Sequence, residues 1–376
     1  MPARRLRVGL VVNPVAGLGG PAGLKGSDET AWRKAVAAGY QPTSPARAKR
    51  FAQAVAADVD LLCAPGALGG DHMLDLGPPT PAILALQGAF VVGETTPEHT
   101  RRAAAALRDA GVDLLCFVGG DGTATDVAAA VGGTVPCLGV PGGVKITSPV
   151  FAHDVEEAAW LVRSLSPGFE TVARDVTDVD EDAYRSGRLQ VRLTGMLRVP
   201  MSPAVQGGKV PTSHEASLSG LVEQVLQGWD RQALHLVGAG SVGQAVKEQF
   251  WGKPTLLGVD AIRGDRIVAN DLNDRAIESL LDEAEREKRP VRLWLSPIGG
   301  QGMLIGRGTQ MLRPDLLARI GWDGIRVVAP PEKLVGLRAL HIDSGDPAFD
   351  ATAPKHLRVI TGWNETRLLR VVHGHD

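Results

Sequence analysis

The sequence has few cysteines, little net charge and no long apolar run, and each of these shortages argues against a class of protein. Only 3 of its 376 residues are cysteine, and the net charge is −2. Cys63, Cys116 and Cys137 lie inside apolar runs without CxxC spacing, which favours buried thiols over disulfides or a zinc site. Lys and Arg are interleaved with acids, so no basic face for nucleic acid is indicated. No apolar run approaches the roughly 18–20 residues of a membrane span.

Apolar residues are plentiful by contrast, at 44% of the chain. That supply suits globular cores, and a chain of 376 residues is long enough for two domains at about 100–200 residues each. The basic start, Met1 to Arg7, leads into an apolar run that breaks at Asn13-Pro14, too soon for a secretory signal. We therefore expect a soluble, cytoplasmic protein of two domains that binds small molecules rather than nucleic acid or membranes.

The first half alternates short apolar runs with amphipathic stretches, which predicts βαβ units and a parallel sheet of Rossmann-like type. The predicted strands are 7–12, 60–63, 90–92, 113–118 and 135–140, and the predicted helices are 46–57, 98–110 and 123–131. Ligands of such sheets bind at the carboxyl ends of the strands.

After about Phe169 the sequence has more charges, more Gly and Pro breaks, and short β-rich runs. We predict an N-terminal α/β domain over residues 1–167 and a β-rich α+β domain over residues 168–376, whose last strand is a candidate to return to the first domain. The predicted strands of the second domain include 233–237, 255–259, 291–295, 325–329, 337–342 and 368–372.

The most informative motif is Gly119-Gly120-Asp121-Gly122-Thr123, which joins a buried strand to an Ala-rich helix. Glycines at such a junction allow close approach to a phosphate, and the free N–H groups of a helix start favour an anion. A carboxylate there repels a phosphate, so Asp121 is predicted to be a metal ligand or a base. The alternative is that Asp121 and Thr123 merely cap the helix.

This motif is similar to the signature of the NAD kinases and of the related lipid and sphingoid-base kinases. The chain most resembles the AcoX-type branch of the ATP-NAD kinase family, through blocks that begin at Asn13-Pro14, Gly139-Val140-Pro141, Gln206-Gly207 and Ser296-Pro297. The resemblance implies an NAD kinase-like fold and a phosphate cradle of Gly119, Gly120, Gly122 and Thr123. It also implies that Asp121 acts as the base on the acceptor hydroxyl.

A second glycine turn, Gly238-Ala239-Gly240-Ser241-Val242-Gly243, has competing interpretations. By spacing it is a dinucleotide fingerprint, with Asp260 placed to contact ribose hydroxyls. The family resemblance instead implies a nucleotide-contacting turn of a kinase, although Val242 and Gly243 stand where small hydroxyl residues are usual. A turn without ligand is the third interpretation.

Further candidate nucleotide-binding residues follow from the other blocks. These are Asn13, Gly142, Gly143, Lys145, Gly299, Gly300, Gln301, Gly302 and Arg307. Lys145 and Arg307 are the candidate cations that neutralise phosphate charge, Arg307 by a bidentate contact. The alternatives are a solvated lysine and a pair of tight turns.

The resemblance implies a kinase that uses ATP and Mg²⁺ to phosphorylate NAD at the 2′-hydroxyl of its adenosine ribose, giving NADP. It also implies a homodimer or larger assembly, and we expect the two glycine turns to face one cleft between the domains. Three alternatives stay open. They are a kinase of another hydroxyl acceptor, an NAD(P)-dependent oxidoreductase built on Gly238–Gly243 and Asp260, and a nucleotide sensor without catalysis.

Overall fold

The computed structural model describes residues 4–18, 35–142, 146–179, 191–202, 205 and 215–373. Contacts group these residues into two compact units, unit 1 with the described residues up to 205 and unit 2 with residues 215–373. The parallel sheet of unit 1 and the β-rich, helix-containing unit 2 confirm the predicted fold class. No described helix has the length and apolar character needed to cross a membrane.

Unit 1 is built on a five-stranded sheet in the order β3-β2-β1-β4-β5, with every neighbouring pair parallel. All six residues of the central strand β4 are buried, as expected of a strand with helices over both faces. The strands are β1 (Arg7–Val12), β2 (Asp60–Cys63), β3 (Ala82–Ile83), β4 (Leu114–Gly119) and β5 (Cys137–Pro141).

Four helices of unit 1 follow the predicted βαβ pattern and pack in pairs, α1 with α4 and α2 with α3. They are α1 (Ser44–Val55), α2 (Pro97–Asp109), α3 (Asp121–Val131) and α4 (Val155–Ser164). The three cysteines are wholly buried in this core, as predicted. Burial raises the pKa of the Cys63 thiol to about 12, so this thiol is unreactive at neutral pH.

The predicted strand at residues 90–92 is wrong. Phe90 is buried and packs edge-on against His99, whereas Val91 and Val92 are about half exposed and precede the turn into α2. One anchored side chain in three does not provide the burial that holds a strand in a parallel sheet. The edge strand of the sheet is instead the short β3.

A two-stranded antiparallel hairpin completes unit 1, formed by β6 (Thr171–Val179) and β7 (Val191–Pro200). Both strands contact α3, and β7 also contacts β5. The contacts therefore keep the hairpin with unit 1, although it follows the boundary at 167/168 that the composition suggested. That boundary stays a prediction.

Unit 2 contains a nine-stranded mixed sheet in the order β10-β9-β8-β11-β13-β15-β16-β14-β12. Strands β8, β11, β13 and β15 run parallel, and β16, β14 and β12 form a second parallel group of opposite direction. The strands are β8 (Leu234–Val237), β9 (Asp260–Arg263), β10 (Arg266–Ala269), β11 (Val291–Leu295), β12 (Met303–Ile305), β13 (Ile325–Val328), β14 (Leu340–Ile342), β15 (His356–Gly362) and β16 (Glu365–Val372). The last strand, β16, lies inside this sheet and does not return to the first one.

Helices cover parts of this sheet, and one of them opens at the second glycine turn. They are α5 (Glu215–Gln227), α6 (Ser241–Lys247), α7 (Asp274–Arg286), α8 (Pro314–Ile320) and α9 (Pro347–Asp350). Helix α7 is strongly amphipathic, with Ile277, Leu281 and Ala284 buried at helical spacing.

The predicted strand at residues 255–259 is also wrong, because its backbone has other partners. The Lys247 ammonium donates hydrogen bonds to the carbonyl oxygens of Thr255 and Gly258, each at 2.8 Å. Those carbonyls are therefore not available to a strand ladder. Asp260, which the sequence placed at the end of a strand, begins β9 instead.

One buried histidine in unit 2 is held neutral by its surroundings. The His235 ring stacks on Trp229 with centroids 3.6 Å apart, and it is fully buried. Its Nδ1 accepts a hydrogen bond from Trp294 Nε1 at 2.9 Å, and its Nε2 lies 2.7 Å from the Asp230 carbonyl oxygen. Nε2 therefore carries the proton. Burial lowers the pKa of His235 to about 4.

We expect His235 to make unit 2 acid-sensitive. Because its pKa is lower folded than unfolded, its contribution is complete above about pH 6.5 and is lost as pH falls towards 4, by up to about 3 kcal/mol. Urea unfolding followed by tryptophan fluorescence at pH 7 and 4.5 measures this loss. His235→Gln should show a smaller loss between the two pH values, and the exposed-site variant His356→Gln should behave as wild type. An unchanged loss in His235→Gln would contradict the assignment.

Candidate functional site

The carboxyl edge of the unit 1 sheet brings three strand ends together. Asn13 follows β1, Gly119 ends β4, and Gly142 follows β5. The backbone N–H of Asn13 donates to the Val118 carbonyl oxygen at 2.9 Å, and the backbone N–H of Gly142 donates to the Gly119 carbonyl oxygen at 2.8 Å. Residues that are far apart in sequence thus lie side by side at the carboxyl ends of the strands, where parallel α/β sheets bind ligands.

Within the glycine motif, Gly119 and Thr123 pack against each other. A Cβ atom on Gly119 would lie 2.3 Å from the Thr123 hydroxyl oxygen, so only glycine fits. Thr123 is 2% exposed, and its hydroxyl accepts a hydrogen bond of 3.0 Å from the side-chain amide of Asn13. The side chains of Asn13 and Thr123 therefore link the end of β1 to the first turn of α3, and the phosphate contacts expected of them stay a prediction.

Gly122 differs from Gly119, since a Cβ atom there would meet nothing within 4 Å. The first turn of α3 is therefore open at Gly122, which leaves room for a ligand to approach the backbone. This openness agrees with the proposed phosphate cradle. Gly143 and Lys145, two more predicted members of the site, lie outside the described residues.

These two glycines form a matched pair for mutation. We expect Gly119→Ala to lower the unfolding free energy by about 1–3 kcal/mol through overpacking. Gly122→Ala, in open space within a helix, should be neutral or stabilising by up to about 1 kcal/mol. Thermal unfolding of both variants checks the contrast. Equal stability of the two variants would show that the close contact at Gly119 is relieved without cost.

Asp121 is the first residue of α3, and its carboxylate is enclosed by hydrogen-bond donors. Oδ2 accepts from the amide and the hydroxyl of Thr147 at 2.6 and 2.8 Å, and Oδ1 accepts from the Ser148 amide at 3.0 Å. Ser148 is held in turn by Thr177 of the hairpin, whose amide donates to the Ser148 hydroxyl. The carboxylate therefore fixes the segment after β5 against the start of α3.

Burial dominates the acidity of this carboxyl, which is only 5% exposed. It raises the pKa of Asp121 above the usual range of an aspartate, and the hydrogen bonds from Ser148 and Thr147 offset part of the rise. A carboxylate with a raised pKa is a better proton acceptor than an exposed one. The acidity of Asp121 therefore fits a base.

The same surroundings also bear on the second role predicted for Asp121, that of a Mg²⁺ ligand. Mg²⁺ requires oxygen atoms in near-octahedral arrangement, commonly from one or two carboxylates together with substrate phosphates. The partners of Asp121 among the described residues are hydrogen-bond donors, and none is a second carboxylate. One carboxylate with substrate phosphates is within the range that Mg²⁺ accepts, so both predicted roles of Asp121, base and metal ligand, stay predictions.

The second glycine turn follows β8 in unit 2 and is tightly packed. Gly240 has φ of +101°, and a Cβ atom on Gly243 would lie 2.2 Å from the Gly238 carbonyl oxygen. The Gly240 amide donates to the Leu256 carbonyl oxygen at 2.7 Å, so the loop after α6 holds the turn. The strand, turn and helix expected for Gly238, Gly240, Ser241 and Gly243 are thus present.

Asp260 does not take the position that a dinucleotide fingerprint requires. It is fully buried and accepts hydrogen bonds from the Thr255 amide and hydroxyl and from the Asp271 amide, at 2.6 to 2.8 Å. It also lies 3.3 Å from the Lys247 ammonium. In addition, β9 runs antiparallel to β8, whereas a Rossmann unit needs a parallel strand there. The geometry contradicts the predicted ribose contact of Asp260.

The glycine-rich segment that includes Gly299–Gly302 and Arg307 lies at both ends of the short strand β12. Gly299, Gly300, Gln301 and Gly302 precede β12, and Arg307 follows it. Strand β12 runs opposite to β8. The glycine group before β12 therefore lies at the same end of the strands as the Gly238 turn, and Arg307 follows the other end of β12. Gln301 and Arg307 are 2% and 4% exposed. The two predicted groups therefore lie at opposite ends of the three-residue strand β12.

The sequence reasoning gave no role to two residues at the end of the strands that carries the Gly238 turn. Ser296 follows β11 and Lys333 follows β13, and the Lys333 ammonium donates to the Ser296 hydroxyl at 2.8 Å. The available signal was positional, since both residues come shortly after an apolar strand in a parallel group. Ser296 begins the glycine-dense block 296–302 but was not a candidate there, and Lys333 belongs to no motif, so a search by motif passes over it.

Comparison with known proteins agrees with the two-unit division. The model of the ATP-NAD kinase N-terminal domain matches residues 8–168, and that of the ATP-NAD kinase C-terminal domain matches residues 241–371. No curated protein and no solved structure matches the chain. The two models do not test the AcoX-type branch, which stays a prediction. With both domains matched in order, and the Gly119–Thr123 turn at a strand end, the chain belongs to the ATP-NAD kinase family.

Proposed function

We propose that this protein transfers the γ-phosphoryl group of ATP to the 2′-hydroxyl of the adenosine ribose of NAD, giving NADP. The match of both family domains carries the proposal, because it indicates phosphorylation of NAD in general terms. The position of Asp121 at the carboxyl edge of the unit 1 sheet supports it. Phosphoryl transfer needs mainly positioning and charge stabilisation, which a rigid glycine turn suits.

In this proposal Asp121 accepts the proton of the attacking hydroxyl. Its oxygen atoms are held by Thr147 and Ser148, so the carboxylate needs little reorganisation during the reaction. Oδ1 accepts one hydrogen bond from the described residues, which leaves capacity for a substrate hydroxyl. Gly122, where a Cβ atom would meet nothing within 4 Å, follows Asp121 directly in the chain. Mg²⁺ enters the proposal with ATP, and no step is assigned to a protein-held metal.

The geometry gives less support to the oxidoreductase alternative. That activity relies on Asp260 as the ribose ligand, and this carboxylate is buried beside Lys247 and hydrogen-bonded to Thr255 and Asp271. A kinase for another hydroxyl acceptor and a sensor without turnover differ from the proposal only in product. Both are therefore separated from it by assay.

The test is incubation of the purified protein with ATP, Mg²⁺ and NAD, with NADP measured by an NADP-specific coupled enzyme. Parallel reactions replace ATP by polyphosphate or NAD by NADH, which defines donor and acceptor. Formation of NADP supports the proposal. Transfer of labelled phosphate to a different acceptor only, hydride exchange with a carbonyl substrate, or binding without product would each reject it in favour of one alternative.

A further inference from the structure

Thr177, in strand β6 of the hairpin, contacts both residues that donate to Asp121. Its backbone N–H donates to the Ser148 hydroxyl, and that hydroxyl donates to the Thr177 carbonyl oxygen, each at 2.9 Å. The hydroxyl oxygen of Thr177 lies 2.9 Å from that of Thr147 and 3.4 Å from that of Ser148. The backbone of Thr177 therefore holds Ser148, and its side chain is the closer partner of Thr147.

The direction of the hydrogen bond between the two threonines follows from the number of protons. An ionised carboxylate only accepts hydrogen bonds, so the Thr147 hydroxyl uses its one proton on Asp121 Oδ2, at 2.8 Å. The Thr177 hydroxyl must then donate to Thr147. The result is a chain in which Thr177 donates to Thr147 and Thr147 donates to the carboxylate. Each hydrogen bond in such a chain polarises the next one and strengthens it.

A β-bulge lies at this point of the hairpin. The register of β6 and β7 shifts between Val176 and Thr177, which leaves Thr194 as an extra residue of β7. The Thr194 hydroxyl lies 2.8 Å from that of Thr125 in α3 and donates to the Val176 carbonyl oxygen at 3.1 Å. Bulges bend a strand pair, and beside active sites they re-aim side chains. Thr194 therefore ties the hairpin to α3 at the place where Thr177 meets the segment after β5.

We propose that Thr177 is a positioning residue for Asp121, acting through the hydroxyl of Thr147. The inference rests on the proposed function, since it concerns the base of that reaction. The Thr177 hydroxyl fixes the orientation of the Thr147 hydroxyl, which in turn fixes Oδ2 of the carboxylate. Oδ1, which accepts from the Ser148 amide, is then the oxygen that receives the substrate proton.

The experiment compares the kinetics of NADP formation across pH in wild type and Thr177→Val. This substitution removes the hydroxyl and keeps the shape of the side chain and the backbone hydrogen bonds to Ser148. It should lower kcat about three- to tenfold, the effect of one neutral hydrogen bond, with KM for ATP and NAD unchanged. The acid limb of kcat should move to higher pH, because a weaker donor at Thr147 stabilises the carboxylate less. Thr177→Ser keeps the hydroxyl and should behave as wild type.

A double variant tests whether Thr177 acts through Thr147. Thr147→Val removes the middle link of the chain, so adding Thr177→Val should have little further effect on kcat. Losses that simply add would overturn the inference. If Thr177→Val does not fold, as judged by circular dichroism, Thr177→Ala removes the same hydroxyl with a smaller side chain and takes its place.

The matched control is Thr194→Val, which removes a hydroxyl of the same hairpin that contacts α3. It should leave kcat, KM and the pH profile as in wild type. Equal losses in Thr194→Val and Thr177→Val would overturn the inference, because both would then act by loosening the hairpin. The other charged side chains on α3 and the hairpin strands are the same in every variant, namely Asp126, Arg174, Asp175, Asp178, Arg192 and Arg198.

The pKa of Asp121 gives a readout that does not require turnover. It is followed by NMR of the full-length protein with isotope-labelled aspartate, and Asp121→Asn assigns the signal. Thr177→Val should raise this pKa, and Thr194→Val should leave it unchanged. If wild type forms no NADP and Thr177→Val still raises the pKa, the proposed function fails and the inference holds. If NADP forms and Thr177→Val matches wild type in kcat, pH profile and pKa, the inference is overturned and the proposed function holds.

Discussion

Asp121→Asn is expected to lower the rate of NADP formation by about 10²–10⁴-fold, the range for loss of a general base. An amide cannot accept the hydroxyl proton, and its NH₂ group would face the donors of Thr147 and Ser148. The loss should appear in kcat at saturating ATP and NAD. A rate within a few-fold of wild type would contradict the assigned role.

Asp126→Asn is the matched control, because Asp126 lies in the same helix and pairs with Arg101 at 2.6 Å. Burial raises the pKa of Asp126 to about 6, so it too has an unusual acidity. The Asp126→Asn substitution should leave kcat unchanged. A similar fall in both variants would mean that the stability of α3, and not a base, limits the reaction.

The pH profile separates a base from a residue that only holds the loop. A base must be ionised, so kcat should rise with pH as the raised pKa of Asp121 is passed. Thr147→Val removes the hydroxyl that donates to Oδ2 at 2.8 Å and keeps the carboxylate. Loss of a donor to the charged form raises the pKa further, so the acid limb should move to higher pH.

Lys247→Met is expected to lower the unfolding free energy of unit 2 by about 3–5 kcal/mol, the usual effect of breaking a buried ion pair. Both Lys247 and Asp260 have side chains with no exposed surface, and they are 3.3 Å apart. Removing the ammonium leaves a buried carboxylate without its counterion and frees the carbonyls of Thr255 and Gly258. Urea unfolding followed by tryptophan fluorescence measures the effect.

A double variant tests the cause of that loss. Lys247→Met with Asp260→Asn removes both charges, so it should be more stable than Lys247→Met alone. It should not regain wild-type stability, because the Lys247 bonds to the Thr255 and Gly258 carbonyls are also gone. A loss below about 1 kcal/mol in Lys247→Met would show that the pair contributes little net stability.

The parts of the fold that the sequence predicted well are those fixed by local pattern. Residues 113–118 form an unbroken apolar run, and β4 is buried along its whole length. The Ala-rich run after Gly122 forms α3, and the glycine motif lies at the predicted strand end. Residues 90–92 and 255–259 were misassigned because an apolar run alone does not show whether its backbone joins a ladder.

The sequence likewise predicted only part of the candidate site. The motif identified Asp121, but not that Thr147 and Ser148 donate to it, since that contact depends on how the chain returns after β5. Spacing suggested Asp260 as a ribose ligand, and the direction of β9 and the buried Lys247 exclude that use. Lys333 belongs to no motif, and only the tertiary structure brings its ammonium to the Ser296 hydroxyl.

Taken alone, the sequence determined the class of the protein: an α/β unit followed by a β-rich unit, with the Gly119–Thr123 turn and blocks that resemble the ATP-NAD kinases. These features depend on residue type and on short spacing along the chain, and both can be read without knowing how the chain folds. Tertiary structure alone decided which polar groups are buried and which residues hold them. That choice depends on strand direction and on contacts between distant residues, as Asp121 held by Thr147 and Asp260 held by Lys247 both show.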